Sequence, residues 1–172
     1  MIRFAEVLTR TVMKGCRTDL EFLTPDTVRR AVYPNGRRRN FYFFNADPDL
    51  TASIRPVHAG KAGEEILLPP GAFRVFYEED GILVMPEDPL TECTASSGNI
   101  WSLETREQNI TLVNLTQQDR DVTVNGEKLH LGAESRIEFR CPALIPPEKA
   151  GWMSEEYLKE PEMVMKDCST PY

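Results

Sequence analysis

Histidine and cysteine are the residues of this chain whose side chains most readily act as bases, nucleophiles or metal ligands. His58 lies in a loop-like segment and His130 in the alternating pattern Leu129-His130-Leu131, so neither is predicted beside a nucleophile. The cysteines are too far apart in sequence for a zinc knuckle or a redox pair; they are Cys16, Cys93, Cys141 and Cys168. No Gly-x-Ser-x-Gly nucleophile elbow is present. We therefore predict a non-enzymatic protein with no catalytic residues, metal or cofactor; its thiols are expected reduced, with a disulfide as the alternative.

Three groups of acidic and amide side chains have oxygen atoms that could bind a metal ion or act as catalytic carboxylates. Asn45-Ala46-Asp47-Pro48-Asp49 begins as a calcium loop does, but Leu50 stands where such a loop requires glycine, so a turn is predicted. Glu64-Glu65 and Glu78-Glu79-Asp80 could provide the paired carboxylates of a glycoside hydrolase. Both runs fall at the ends of predicted hairpins, where charged side chains are normally solvated. We therefore expect solvated carboxylates at these two positions.

Five arginines lie close together around the segment Tyr33-Pro34-Asn35-Gly36. They are Arg29, Arg30, Arg37, Arg38 and Arg39. Guanidinium groups at this density can bind a phosphate backbone or an acidic protein surface, so these residues are candidates for partner binding. The alternative that we favour is a solvated hairpin or helix-to-strand turn. The formal net charge of −7 is unfavourable for wrapping nucleic acid, so a nucleic-acid-binding regulator is the weakest of our functional hypotheses.

The elements that must position these residues divide the chain into three regions. Residues 1–40 form a basic segment, with nine Lys and Arg against four Asp and Glu. Thr24-Pro25-Asp26 is a good helix start, which predicts a short helix to about Val32, in competition with a strand that enters the Asn35-Gly36 turn. Residues 41–140 read as short strands. Asp80-Gly81 and Asn125-Gly126, each between two apolar alternating runs, predict antiparallel hairpins.

A weak internal repeat relates residues 41–89 to residues 100–140. It matches Asn45 with Asn114, Gly63 with Gly126, and Arg74 with Arg136. Each copy holds about four strands, which is too few to close a core alone. The pattern predicts a mainly β protein, an antiparallel β-sandwich of two duplicated four-stranded units or two small tandem sandwiches. Chance similarity between two antiparallel β segments is the alternative to duplication.

Residues 141–172 are rich in proline and predict an extended C-terminal arm. Trp152, Tyr157 and Met163 are candidate anchors that dock this arm on its own sandwich or on a neighbouring subunit. Trp101, if it is exposed beside other aromatic rings, is a candidate platform for a sugar ring.

These features favour a structural or interaction subunit of a larger, oligomeric assembly, joined to other protein subunits by the arm and by edge strands. A phage-type virion component, such as a head decoration, connector or tail accessory protein, is the most concrete candidate. A carbohydrate-binding or accessory β-sandwich module is the alternative. The N-terminus has no secretory signal and no apolar run is long enough for a membrane helix, so we expect synthesis in the cytoplasm, incorporation into a virion and no membrane partner.

Overall fold

β-Strands are the only regular elements in residues 20–145, the range that the computed structural model of this protein describes. In chain order they are β1 (Glu21–Leu23), β2 (Val28–Asn35), β3 (Arg38–Asn45), β4 (Ala52–His58), β5 (Lys61–Ala62), β6 (Ile66–Leu68), β7 (Phe73–Glu79), β8 (Ile82–Pro86), β9 (Glu92–Ser97), β10 (Ile100–Glu104), β11 (Gln108–Asn114), β12 (Arg120–Val124), β13 (Glu127–Leu131) and β14 (Arg136–Cys141). The prediction of a mainly β fold is confirmed. The predicted arm begins at Cys141, the last residue of β14, and nearly all of it lies outside the described range.

The strands form a central six-stranded sheet and two smaller sheets. The central sheet has the order β14-β11-β8-β7-β3-β2 and is antiparallel throughout. One small sheet has the order β13-β12-β10-β9, with a parallel pairing of β10 and β12. In the other, β4 pairs with β1, β5 and β6. Hairpin β2–β3 crosses the boundary that the sequence suggested after residue 40.

Each small sheet encloses a separate apolar core against one face of the central sheet. The first core lies against the β9, β10, β12 and β13 sheet and includes Val75, Tyr77, Ile82, Val84, Trp101, Leu103, Ile110 and Leu112. The second lies against the β1, β4 and β6 side and includes Phe22, Phe41, Phe43, Ile54, Leu68, Phe76, Leu83 and Met85. Hairpin β7–β8 supplies both cores, because alternate residues of a strand point to opposite faces. All five residues of β8 are therefore buried.

Two of the predicted turns are confirmed in detail. Asp80 and Gly81 have φ angles of 50° and 82°, and Asn125 and Gly126 have φ angles of 48° and 89°. Positive φ at both central positions is the geometry that matches the twist of a two-residue hairpin.

The Asn35-Gly36 turn lies one residue later than the sequence suggested. Asn35 pairs with Arg38, which makes Gly36 and Arg37 the turn residues, and the predicted helix toward Val32 is wrong because this segment is strand β2. Pairing along the whole length of β3 outweighs the helix-start signal at Thr24.

Asn45 and Asn114 are fully buried and make matching contacts in the two halves of the chain. Asn45 Nδ2 donates to the carbonyl oxygens of Leu50, Leu68 and Pro69 at 2.8, 2.9 and 3.1 Å. Asn114 Nδ2 donates to those of Gln118, Leu131 and Gly132 at 2.8, 3.5 and 2.9 Å. Leu68 and Leu131 each end the strand that follows the matched glycine. We propose on this basis that the two halves are copies of one unit.

The strand pairing corrects the register of the repeat in its last strand. Phe41 of β3 opposes Phe76 of β7, and Ile110 of β11 opposes Phe139 of β14. If Asn45 corresponds to Asn114, then Phe76 corresponds to Phe139, and Arg74 corresponds to Ile137. The sequence match of Arg74 with Arg136 is therefore displaced by one residue.

Cys93 and Cys141 are buried free thiols, and burial raises the pKa of each to about 11. Cys16 and Cys168 lie outside the described residues. Only the thiolate reacts with iodoacetamide, so at pH 8 about one thousandth of each buried thiol is in the reactive form. We expect Cys93 and Cys141 to stay unmodified in the native protein and to be alkylated in urea, as measured by peptide mass spectrometry. Rapid native labelling of either residue would contradict this assignment.

Candidate interaction surface

The β2–β3 hairpin separates the five arginines instead of presenting them together. Arg38 and Arg39 are only 6% and 3% exposed and, as neighbours on a strand, lie on opposite faces of the central sheet. Arg29, Arg30 and Arg37 are exposed, and an Nη atom of Arg30 donates to the Phe22 carbonyl oxygen at 2.9 Å. The interpretation of all five as one partner-binding patch is therefore wrong for Arg38 and Arg39.

The two buried guanidinium groups contact other strands. Arg39 Nε donates to Glu78 Oε2 at 2.9 Å and its guanidinium carbon lies 5.2 Å from the centre of the Phe41 ring. Arg38 donates to Asn40 Oδ1 at 3.0 Å and to Cys93 Sγ at 2.9 Å, which joins the central sheet to β9. These contacts are internal, so both arginines support the fold.

Trp101 lies in the first core with 1% of its surface exposed, and its indole N–H donates to the Gly98 carbonyl oxygen at 3.1 Å. No face of the ring is open to a sugar. The predicted platform at Trp101 is wrong, because the residue falls on the inward side of β10.

A row of aromatic rings lies instead on strands β2, β3 and β7 of the central sheet. This aromatic strip consists of Tyr33, Tyr42, Phe44 and Phe73. The Tyr33 and Tyr42 ring centres are 5.6 Å apart and the Tyr42 and Phe73 centres are 6.1 Å apart, while Phe44 lies directly opposite Phe73 in the strand pairing. Tyr33, Phe44 and Phe73 are 60%, 43% and 39% exposed. Three exposed rings, joined through the half-buried Tyr42 or by strand pairing, lie on one face of the sheet, and exposed apolar groups of this kind mark interaction sites.

The aromatic strip is exposed because the small sheet that covers this face, with the order β13-β12-β10-β9, ends at β9. The chain entering β9 rests on the inner strands, where Tyr77 Oη donates to the Thr91 carbonyl oxygen at 2.6 Å. Within residues 20–145, β2 pairs only with β3, so its outer side is the edge of the sheet. Arg29 is exposed in this strand, directly opposite Phe44. An edge strand beside apolar rings is suited to accept an extended segment of another protein.

Glu78 and Glu79 differ from the sequence expectation, because they are only 1% and 4% exposed. The hairpin that they end is enclosed by the neighbouring β2–β3 and β9–β10 hairpins. The prediction of solvated carboxylates is therefore wrong at these two residues, although it holds at Glu64 and Glu65.

A cavity of about 520 Å³ lies between the β4–β5 hairpin and the start of β14. Its charged groups are paired with one another. Lys61 Nζ lies 2.9 Å from Glu134 Oε1, and Arg136 contacts both Glu64 and Glu138. His58 and Ser135 both line this cavity, and the Ser135 hydroxyl donates to the Gly132 carbonyl oxygen at 2.6 Å.

The predicted turn after Asn45 is confirmed. Asn45 Oδ1 accepts the Asp47 amide, and Asp47 Oδ1 accepts the amides of Asp49 and Leu50 at 2.9 Å each. These backbone donors lower the pKa of the Asp47 carboxyl. In the described part of the chain, no three His, Cys, Asp or Glu side chains are placed to hold a metal. The same residues include no helix long and apolar enough to cross a membrane.

The candidate anchors Trp152, Tyr157 and Met163 lie outside the described residues. Comparison of the chain with protein-family models, with curated proteins and with solved structures finds no match.

Proposed function

We propose that this protein is a non-enzymatic interaction subunit that binds an extended segment of another protein subunit along the aromatic strip and the outer edge of β2. The observation that carries the proposal is the row of rings in the aromatic strip beside the edge of β2, which pairs with no strand but β3 within residues 20–145. A phage-type virion is the most concrete assembly in which such a subunit would be a component.

The chemistry of the strip supports this function. Aromatic residues dominate the energetics of protein interfaces, because each ring buries about 150–250 Å² with few torsions to order. The edge of β2 offers backbone donors and acceptors that a partner strand can pair. Arg29, Arg30 and Pro34 interrupt this edge with charge and a missing N–H, which disfavours indiscriminate pairing. The surface therefore favours a partner that matches it.

We expect the double substitution Tyr33→Ser with Phe44→Ser to weaken partner binding by about 100-fold or more, because two large apolar contacts are lost. A photo-crosslinking residue at position 44 identifies the partner in the source cell. The purified pair then gives dissociation constants by calorimetry.

Leu67→Ser is the matched control, because Leu67 is 61% exposed but lies on the sheet that covers the opposite face. The control is expected to bind like the unmodified protein, and all variants are expected to keep their unfolding midpoint. Equal binding by the double variant and the control would contradict the proposed surface.

Carbohydrate binding is the second candidate, favoured by the same row of exposed rings, since sugars stack on aromatic faces. A glycan array probed with the full chain and with the Tyr33→Ser, Phe44→Ser variant decides between the two. Glycan binding that disappears in the variant, with no protein partner crosslinked at position 44, would replace the interaction proposal by this one.

A further inference from the structure

Glu79 ends strand β7 on the face of the central sheet that carries the aromatic strip. Its side chain is 96% buried, and among residues 20–145 no hydrogen-bond donor reaches its Oε2 atom. Buried carboxylate oxygens in proteins are almost always paired, because an unpaired buried charge is costly. The Glu79 carboxylate therefore has an acceptor capacity that the described residues leave unused.

The nearest cation on the neighbouring strand is committed to other groups. Continuing the pairing of Arg39 with Glu78 by one residue places Arg38 opposite Glu79. The Arg38 guanidinium instead donates to Asn40 and Cys93 and lies 5.7 Å from the Tyr77 ring centre. Arg37, on the rim, lies 3.8 Å from Asp80 and is largely exposed. Neither arginine supplies a donor to Glu79 Oε2.

Glu79 lines a polar cleft of about 490 Å³ where the tips of the β2–β3, β7–β8 and β9–β10 hairpins meet. Its other lining residues include Asn35, Arg37, Asp80, Ser96 and Ser97, and Arg37 lies at the rim beside Asp80. The two carboxylates, the two hydroxyls and the Asn35 amide oxygen can all accept hydrogen bonds. This is the arrangement that a guanidinium group, with five N–H donors in a planar fork, can satisfy.

The cleft continues the aromatic strip. Asn35 lies two residues after Tyr33 in β2 and therefore on the same face of the sheet. A segment bound along β2 over Tyr33 passes directly to the mouth of the cleft.

We propose that this cleft receives an arginine side chain of the partner subunit, whose guanidinium pairs with Glu79 and Asp80. This inference rests on the proposed function for the identity of the partner, and it adds the chemistry by which the partner is recognised. We expect the cleft to prefer Arg to Lys. A guanidinium is more weakly hydrated than an ammonium group, and it can bond several acceptors at once.

The test titrates the ¹⁵N-labelled full chain with N-acetyl-arginine methylamide and follows the amide resonances by NMR. We expect saturable shifts, in the millimolar range typical of a single side chain, at the amides of residues 35–37, 79–81 and 96–98. N-acetyl-citrulline methylamide, the uncharged isostere, is expected to leave these resonances in place. N-acetyl-lysine methylamide with a free side-chain amine is expected to bind more weakly.

Glu79→Gln is expected to weaken arginine-amide binding by at least tenfold, and Glu127→Gln, a change at an exposed carboxylate on the far edge strand β13, is expected to leave it unchanged. Asp80→Asn provides a second variant, because asparagine tolerates the positive φ at this turn position. Absence of saturable shifts at the cleft, or equal shifts with the citrulline compound, would overturn the proposal.

The two proposals fail separately. If the arginine amide does not bind but the Tyr33→Ser, Phe44→Ser variant loses its partner, the cleft is refuted and the interaction surface stands. If the arginine amide binds at the cleft while the double variant keeps its partner, the aromatic strip is refuted and the cleft stands.

Discussion

Arg39→Met is expected to lower the free energy of unfolding by about 3–5 kcal/mol, the largest effect of any single change considered for this protein. Arg39 Nε and Glu78 Oε2 are 2.9 Å apart, and their side chains are 3% and 1% exposed. Removal of the guanidinium leaves the Glu78 carboxylate buried without this cation. Urea denaturation of the variant and the unmodified chain measures the difference.

A second substitution separates the charge from the packing. Glu78 Oε1 also accepts the Gly81 amide at 2.9 Å, and glutamine retains an acceptor for that amide. Arg39→Met with Glu78→Gln is therefore expected to recover more than half of the lost stability. Lys61→Met, which breaks an exposed ion pair with Glu134, is the control and is expected to cost at most about 1 kcal/mol. A cost for Arg39→Met as small as that of the control would contradict the buried pair.

Asn45→Asp and Asn114→Asp are each expected to lower the free energy of unfolding by about 3 kcal/mol or more. The two losses are expected to be similar. Each substitution keeps the size of the side chain but replaces the Nδ2 donor with an oxygen that faces the same three carbonyls. A buried polar group that loses its partner costs about 1–3 kcal/mol, and more when it is charged. Thermal and urea denaturation provide the measurement.

Asn109→Asp is the matched control for the second prediction, because Asn109 lies in the same strand as Asn114 and is exposed. It is expected to change stability by at most about 0.5 kcal/mol. If one of the buried asparagines tolerates aspartate and the other does not, their contacts are not equivalent, and the proposal that the two halves are copies of one unit is weakened.

Local signals allowed part of the fold to be predicted. Asp80-Gly81 and Asn125-Gly126 accept positive φ at both positions, which only a few residue pairs do, so these two hairpins follow from four residues. The turn after Asn45 follows equally from side chains that bond their own backbone. Thr24-Pro25 was misleading because pairing with β3, a contact along eight residues, outweighs a helix cap.

Burial could not be predicted where it depends on residues far apart in sequence. Glu78 and Arg39 are separated by 39 positions, and nothing in the acidic run indicates that a guanidinium meets it inside the protein. The aromatic run Phe41–Phe44 is evident in the sequence. Which of its rings stay exposed depends on where the small sheet above them ends, and this sheet ends at β9, which begins 48 residues after Phe44.

Hairpin β7–β8 has a consequence for how the two halves of the chain depend on each other. Its alternate residues fill both cores. When either half of the chain unfolds, one face of this hairpin loses its packing, and the other half needs the same hairpin. The described region should therefore unfold as one cooperative unit. For the same reason, neither copy of the repeat is a module that could be excised or transplanted alone, even if each descends from a single ancestral unit.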